Sequence, residues 1–366
     1  MNRKLFSFYL VLVLAAALVL PAGIVTNAKA DASNSSEAAL KYWAKDSPVA
    51  ASIVEYVEDV TDRASSNFIP LEDRIAVFDL DGTIIGELCP SYFVAMMFIH
   101  RVLYDDTYKA PDDMKEFALA LKEGIYKGKL PKDSDIKHAK FAGEAYAGMT
   151  PEELKDYVTK FMDSETEGFT NLTWREAFYK PMISLVEYLD ANDFQCYIVS
   201  GSDRTICRAI IKDRLPIPEN RVIGSSYTMV ASGQGDTDGI EYDYSKDDTV
   251  ILSKDLIINT VKMNKVSAIA LEIGKVPVLA FGNSSGDVSM AQYVVNNDRY
   301  ESRAYMVLCD DTVREHGDTD KANSLKKTCL ERGFMPVSMR DDFGTIYGDD
   351  VEAVPYDDHK ELKDAG

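Results

Sequence analysis

Histidine and cysteine are scarce in this chain, with four of the first and five of the second among 366 residues. The cysteines (Cys89, Cys196, Cys207, Cys309 and Cys329) are too few for a disulfide scaffold and odd in number, although Cys309 could pair with Cys329. Cys196 sits in an apolar run and reads as a small buried hydrophobe. Because no cysteine precedes Cys89, a lipid-modified anchor near the start of the chain is excluded. Positive charge is also short. Lys and Arg number 40 against 60 Asp and Glu, for a formal net charge of -20. Such a surface repels nucleic acid and anionic membranes. It repels phosphate esters too, so an anionic substrate requires a local positive site or a metal ion. After the first thirty residues there is no second apolar segment of spanning length, no internal repeat and no low-complexity tract. The sequence leaves the oligomeric state open.

What is present begins with a leader. Arg3 and Lys4 precede an apolar run from Leu5 to Leu20, and Ala28-Lys29-Ala30 supplies small residues at a signal-peptidase position. Residues 1–30 therefore read as a signal peptide cleaved after Ala30, which makes the protein exported: periplasmic, cell-surface or secreted. The alternative is an uncleaved anchor, since Leu5 to Val25 is nearly long enough to span a bilayer, but Pro21 and the small-residue site suit cleavage better. Removing Arg3, Lys4 and Lys29 takes the charge from -20 to -23. No membrane association is expected after cleavage.

From Ser35 to Ser66, apolar residues at three- and four-residue spacing predict one or two amphipathic helices. The pattern then changes to short apolar runs that end in polar turns. Arg74-Ile75-Ala76-Val77-Phe78 ends in Asp79-Leu80-Asp81-Gly82-Thr83. Phe194 to Val199 ends in Ser200-Gly201-Ser202-Asp203, and Val276 to Phe281 ends in Gly282-Asn283-Ser284-Ser285-Gly286-Asp287. The two later runs lead into helical patterns. Strand, polar turn and helix in repetition predict an α/β fold with a doubly wound parallel sheet, whose ligands sit at the carboxyl ends of the strands. Residues 84 to about 179 carry helical periodicity and few strand signals, so an inserted helical module is expected there. Within it, Thr150-Pro151-Glu152-Glu153 has the form of a capping box. The stretch 222–250, rich in Gly, Asp, Tyr and Ser, predicts a short hairpin or an irregular flap.

Asp79 and Asp81 alternate along an extended chain, so both carboxylates can reach one pocket at a strand's end. Phosphoryl transfer from a monoester needs an in-line nucleophile, a cation on the phosphate oxygens and an acid for the leaving alkoxide, and two aspartates with a hard cation supply all three. A calcium loop is excluded, because Gly82 comes too early and an apolar strand precedes it. Ser200 and the amides after it offer a place for phosphate oxygens before a helix. Lys265 could bring positive charge, with Lys262 and Lys275 as competitors. Asn283 and Asp287 offer further oxygen ligands for magnesium. A competing chemistry shares the segment, since Gly282-Asn283-Ser284-Ser285-Gly286 matches the G-x-S-x-G nucleophile elbow, with Ser284 as a serine-hydrolase nucleophile and His316 or His359 as its base. That reading leaves the Asp79–Asp81 pair idle.

Together these segments resemble the haloacid dehalogenase-like superfamily, most closely its phosphoserine-phosphatase-like branch and exported bacterial members. Asp79 to Thr83, Ser200-Gly201, Lys265 and Gly282 to Asp287 match its four motifs, and the resemblance spans Asn67 to Tyr347. It implies a catalytic core of residues 31–84 plus 180–366 and a helical cap of 85–179. It also implies that Asp79 attacks phosphorus and Asp81 protonates the leaving alcohol, then activates water. Thr83, Ser200, Gly201 and Lys265 would hold the phosphoryl group; Mg2+ would bind Asp79, Asp81 through its carbonyl, Asn283 and Asp287. Asp81 counts against a dehalogenase, which lacks this second acid. Glu87 stands about one residue from where related phosphatases carry a cap-facing glutamate that touches substrate. Most relatives have aspartate where this chain has Asn283, which removes one negative charge from the cation site. The extreme form of that departure is a catalytically silent protein that binds a phospholigand. The expected substrate is a small phosphorylated metabolite: phosphoserine, phosphocholine, a sugar phosphate or a nucleotide.

Overall fold

The computed structural model describes residues 40–356, so the leader, the start of the first amphipathic stretch and His359 lie outside the described residues. The amphipathic stretch becomes helix α1 (Pro48–Thr61), capped by the Ser47 side chain on the Ala50 amide. The first apolar run is strand β1 (Ile75–Phe78), buried along its whole length. Four helices follow: α2 (Phe93–Leu103), α3 (Asp112–Tyr126), α4 (Ser134–Tyr146) and α5 (Pro151–Met162). Helix α6 (Lys180–Ala191) then leads to β2 (Gln195–Asp203) and α7 (Arg204–Ile211). Next come β3 (Val222–Ala231), β4 (Val250–Ile258), α8 (Met263–Glu272), β5 (Leu279–Gly282) and α9 (Val288–Val295). The described chain closes with β6 (Arg303–Leu308), α10 (Thr319–Arg332), β7 (Met335–Ser338) and the short α11 (Met339–Asp342).

The seven strands form one sheet in the order β4-β3-β2-β1-β5-β6-β7. Every pairing is parallel except β3 with β4. The chain runs outward from β1 to one side through β2 and β3, then restarts on the other side with β5, which puts a switch point beside β1. Both faces are covered, and alternation along β1 divides the core. Ala76 and Phe78 belong to the larger apolar cluster, Ile75 and Val77 to the one on the opposite face. Across the middle of the sheet Phe78 stacks on Phe281 at 4.5 Å, and Phe281 on Tyr305 at 5.1 Å. These rings are register partners on β1, β5 and β6, which ties the strand ends that carry the polar turns into one rigid unit.

The inserted helices leave and rejoin the core side by side. The Gly86 amide donates to the Ala177 carbonyl at 2.8 Å, and the Tyr179 amide to the Ile84 carbonyl at 2.8 Å. Helix α5 carries the expected capping box, with Thr150 and Glu153 bonding each other's backbone. Helix α4 lies against the β3–β4 hairpin, where Tyr227 Oη donates to the Ala139 carbonyl at 2.6 Å. A Cβ at Gly143 would stand 2.6 Å from the Lys254 carbonyl, so only glycine permits this approach.

Two segments differ from expectation. The stretch 222–250 is neither short nor irregular at its start: β3 first pairs with β2 as a member of the main sheet, then continues as one arm of an antiparallel hairpin. Ser200, Gly201 and Ser202 belong to β2, whose pairing with β3 is irregular between Val199 and Asp203, so this segment is extended where a turn was expected.

Candidate active site

The carboxyl ends of β1, β2 and β5 and the start of α8 converge on one buried cluster. Extended backbone at the end of β1, locked by the Asp79 amide donating to the Phe281 carbonyl at 2.9 Å, delivers Asp79 to it. The chain then turns tightly, with the Ile84 and Ile85 amides both bonded to the Leu80 carbonyl. Gly82 makes this turn at φ +75, and a Cβ there would overlap Asn283 Nδ2 and the Glu87 carboxyl. Both the left-handed backbone and the space demand glycine.

At the cluster's centre is Lys265, only 2 % exposed. Its ammonium donates to Asp79 Oδ1 at 2.5 Å, to Asp287 Oδ1 at 2.6 Å and to the Val199 carbonyl at 2.6 Å. Those three acceptors come from β1, the loop after β5, and β2. Burial works against the charged lysine, but Asp287 and Asp79 outweigh it and hold its pKa above the ordinary lysine value. The competing lysines go elsewhere: Lys275 pairs with Asp73 at 2.6 Å, and Lys262 supplies the residue before α8, its amide on the Gly286 carbonyl at 2.9 Å.

Asp81 points to a different partner from Asp79. Ser202 Oγ donates to Asp81 Oδ2 at 2.7 Å, and Ser200 Oγ stands 3.4 Å from the same oxygen. Asp81 Oδ1 is buried with no protein partner. Burial raises the Asp81 pKa, and the Ser202 hydrogen bond opposes the rise. Burial and the neighbouring Asp287 push the Asp79 pKa up, and the bonded Lys265 ammonium acts the other way, favouring the carboxylate. Glu87 likewise rises to about 8 through burial, against a hydrogen bond from Asn283. Two carboxyls two residues apart thus sit in unlike surroundings, one beside an ammonium and one beside hydroxyls.

The loop after β5 is ordered by Asp287. Its Oδ2 accepts from the Asn283 amide at 3.1 Å, the Ser284 amide at 3.0 Å and the Ser284 hydroxyl at 3.0 Å. The hydroxyl that the nucleophile-elbow reading needs is therefore held by a carboxylate. His316, its described candidate base, is bonded instead to the Gly168 carbonyl at 2.7 Å. Thr83 is fully buried and its Oγ1 lies 3.4 Å from Asn283 Oδ1.

A cavity of about 290 Å³ opens over the cluster. Asp79, Asp81, Lys265, Asn283 and Asp287 line its floor together with Gly201 and Ser202. Ser200, fully buried beneath, does not line it; its hydroxyl accepts from the Ser202 amide at 3.0 Å. Sequence reasoning missed Ser202. The signal was there, because residues two apart on an extended chain share a face, but the segment was read as a turn.

The oxygens here suit a hard divalent cation. Asp79, Asp81, Asp287 and Glu87 bring four carboxyls against the single ammonium of Lys265, and Asn283 adds an amide oxygen. Asp79, the Asp81 carbonyl and Asn283 would hold such an ion, with Asp287, both of whose oxygens already accept hydrogen bonds, shaping the loop. Among the described residues no group of three or more His, Cys, Asp or Glu side chains is disposed around a common metal position. All five cysteines are free, so Cys309 and Cys329 are not bridged. Among the described residues no helix is long and apolar enough to cross a membrane.

This arrangement, a carboxylate at the end of the central strand of a doubly wound sheet with a second carboxylate two residues on and a buried lysine between strand ends, defines a hydrolase class. The family model for haloacid dehalogenase-like hydrolase matches residues 76–292, and the chain belongs to that family. As a member of that family it is a hydrolase. No curated protein sequence matches. Similar solved structures include a conserved functionally unknown protein from Anaerococcus prevotii DSM 20548, 16 % identical, covering 79 % of this chain and 91 % of that one with a TM-score of 0.48. Cytosolic 5'-nucleotidase IIIB bound to cytidine is 13 % identical, with coverages of 79 % and 84 % and a TM-score of 0.46. A phosphoserine phosphohydrolase-like protein from Francisella tularensis subsp. tularensis SCHU S4 is 17 % identical, with coverages of 69 % and 92 % and a TM-score of 0.38.

Proposed function

We propose that this protein is an exported, magnesium-dependent phosphomonoesterase that works through a covalent aspartyl-phosphate on Asp79. The observation that carries the reading is the unlike setting of the two carboxyls, Asp79 on the Lys265 ammonium and Asp81 on the Ser202 hydroxyl. Asp79, held on Lys265, attacks phosphorus; its O–P bond forms as the bond to the leaving oxygen breaks. Asp81, whose pKa burial raises, gives that oxygen a proton and leaves as an alcohol what would otherwise be an alkoxide. Asp81 then takes a proton from water, which attacks phosphorus and releases inorganic phosphate and free Asp79. Lys265 stabilises negative charge on Asp79 and on the phosphoryl oxygens, and the Gly201 and Ser202 backbone lines the space those oxygens take. Magnesium, when bound by Asp79, the Asp81 carbonyl and Asn283, would neutralise further phosphoryl charge. The helices of 85–179 act as a cap over the site, hinged on the paired connections at 84–86 and 177–179. Glu87 and Asn283 sit where the cap joins the loop. Export rests on the leader pattern in residues 1–30.

The test is hydrolysis of p-nitrophenyl phosphate by residues 31–366, with magnesium or with chelator, against Asp79→Asn. Magnesium-dependent release that the variant loses is the expected result, together with a phosphate-labelled wild-type protein trapped by acid quench. Binding of inorganic phosphate without turnover of any ester would instead make it a silent phospholigand-binding protein. Cleavage of a carboxyl ester abolished by Ser284→Ala would return the serine-hydrolase reading.

A further inference from the structure

The upper walls of the cavity have a chemistry unlike its floor. They come from the chain before and within α2, from α4 and from the hairpin, and Val94, Ala142, Leu256 and Val261 make much of them apolar. Tyr92 and Tyr227 add aromatic side chains. Among all the residues lining the cavity, Lys265 is the one lysine or arginine, and its ammonium already has three acceptors. The other charged residues away from the floor are Asp135 and Asp203. A carboxylate or second phosphate on a substrate would find no counter-charge here and would lose its hydration.

Two lining residues, His138 and Tyr146, keep a buried polar atom with no protein partner: Nε2 of the first and Oη of the second. His138 is held by the Phe98 ring, edge to face at 5.2 Å, and by a hydrogen bond to the Val94 backbone. A neutral imidazole has one donor and one acceptor nitrogen. With its N–H given to the Val94 carbonyl, Nε2 is left as an acceptor. It stays one, because burial lowers the His138 pKa to about 4.

We propose that this cavity selects phosphomonoesters whose leaving alcohol carries no second anionic group, has a flat or apolar body, and offers an N–H or O–H donor to His138 Nε2. The inference rests on the phosphatase reading and adds a substrate class to it. A buried acceptor left unpaired carries its desolvation cost uncompensated, so a ligand that supplies the donor is favoured over one that merely fills the space.

The test compares three substrates on the wild-type enzyme with magnesium: a nucleoside 5'-monophosphate, flat and rich in donors; p-nitrophenyl phosphate, flat without a donor; and phosphoserine, which carries a carboxylate. The expected order of kcat/KM sets the nucleoside monophosphate at least tenfold above phosphoserine. In His138→Phe, the ratio of kcat/KM for the nucleoside monophosphate to that for p-nitrophenyl phosphate falls about tenfold, carried by KM. In His138→Gln, which restores an acceptor, most of the ratio returns; circular dichroism establishes that both variants fold, and the Gln variant stands alone if the Phe variant does not. Phosphoserine equal to or above the nucleoside monophosphate, or a ratio unmoved by His138→Phe, overturns the inference and leaves the phosphatase reading standing. Absence of all ester turnover by the wild type overturns both.

Discussion

Lys265 places its ammonium 2.5 Å from the Asp79 carboxylate, with both groups buried and a second carboxylate, Asp287, on the ammonium's other side at 2.6 Å. Pairs of this kind are exposed by breaking them. Replacing Lys265 with Met leaves two buried carboxylates without their cation, at a cost of about 3–5 kcal/mol. The expected outcome is a clear drop in melting temperature by circular dichroism and loss of at least a thousandfold in kcat/KM. Lys265→Arg does not rescue, because a planar fork cannot replace a point charge shared by three acceptors. Near-wild-type turnover by Lys265→Met would remove the lysine from the site.

Ser202 tests the acid. Its hydroxyl, 2.7 Å from Asp81 Oδ2, opposes the burial that raises the Asp81 pKa. Ser202→Ala removes that opposition, so the Asp81 pKa rises further and the acidic limb of the kcat profile, where Asp81 must be ionised to activate water, moves to higher pH. A shift of about one pH unit corresponds to about 1.4 kcal/mol. An unmoved limb with lower kcat would show that Ser202 acts on phosphate and not through Asp81.

Removal of the acid itself has a different signature. Asp81→Asn takes away the proton that the leaving oxygen needs, a loss that grows with the basicity of that oxygen. The variant should lose about 100-fold or more on alkyl phosphates, and visibly less on p-nitrophenyl phosphate in the first, phosphoryl-transfer step measured by burst kinetics. Equal losses on both esters would contradict the assignment.

Gly82 carries a positive φ in the tightest place of the site, where a Cβ overlaps Asn283 and Glu87. Gly82→Ala is expected to cost about 2–3 kcal/mol, from left-handed backbone and from crowding together, and most of the activity. Gly128, at φ +63 with nothing within 4 Å of its Cβ position, is the control. Its alanine variant should cost only the backbone part, about 1 kcal/mol, with turnover preserved. Chemical denaturation of the two variants side by side separates strain from clash.

Away from the site, Glu315 is 1 % exposed, bonded to Tyr347 Oη at 2.5 Å, and raised to about 7 by burial. An unfolded glutamate titrates near 4.3. Between those values the folded chain binds more protons than the unfolded one, so this group's contribution to stability is full below about pH 4 and is lost as pH rises through about 7. Glu315→Gln removes the slope: the melting temperature of the variant should gain on that of wild type from pH 5 to pH 8. A constant offset across that range would refute the buried-acid reading.

Much of the fold was legible because its signals are local. Four-residue apolar runs ending in polar turns mark buried parallel strands, and Thr150 with Glu153 marks a helix start, since both depend on neighbours a few residues away. The pair Asp79 and Asp81 was legible for the same reason, as was the lining role of Gly201, Asn283 and Asp287 at strand ends. Which lysine serves the site was not, because Lys262, Lys265 and Lys275 differ only in where α8 is seated against β1 and β5.

The amino-acid sequence by itself determined the central strands β1, β2 and β5, the run of helices between β1 and β2, and the polar segments at which those three strands end. The tertiary structure decided which side chains meet. Lys265 and Asp79 are 186 residues apart, and Ser202 and Asp81 are 121 apart. No periodicity reaches that far; strand order, register and the Phe78–Phe281–Tyr305 stack bring those ends together. It also decided that Ser200 lies beneath the cavity while Ser202 faces it, and that His138 on α4 closes over the site, because the seating of α4 against the hairpin is set by Gly143 and Tyr227 across the chain.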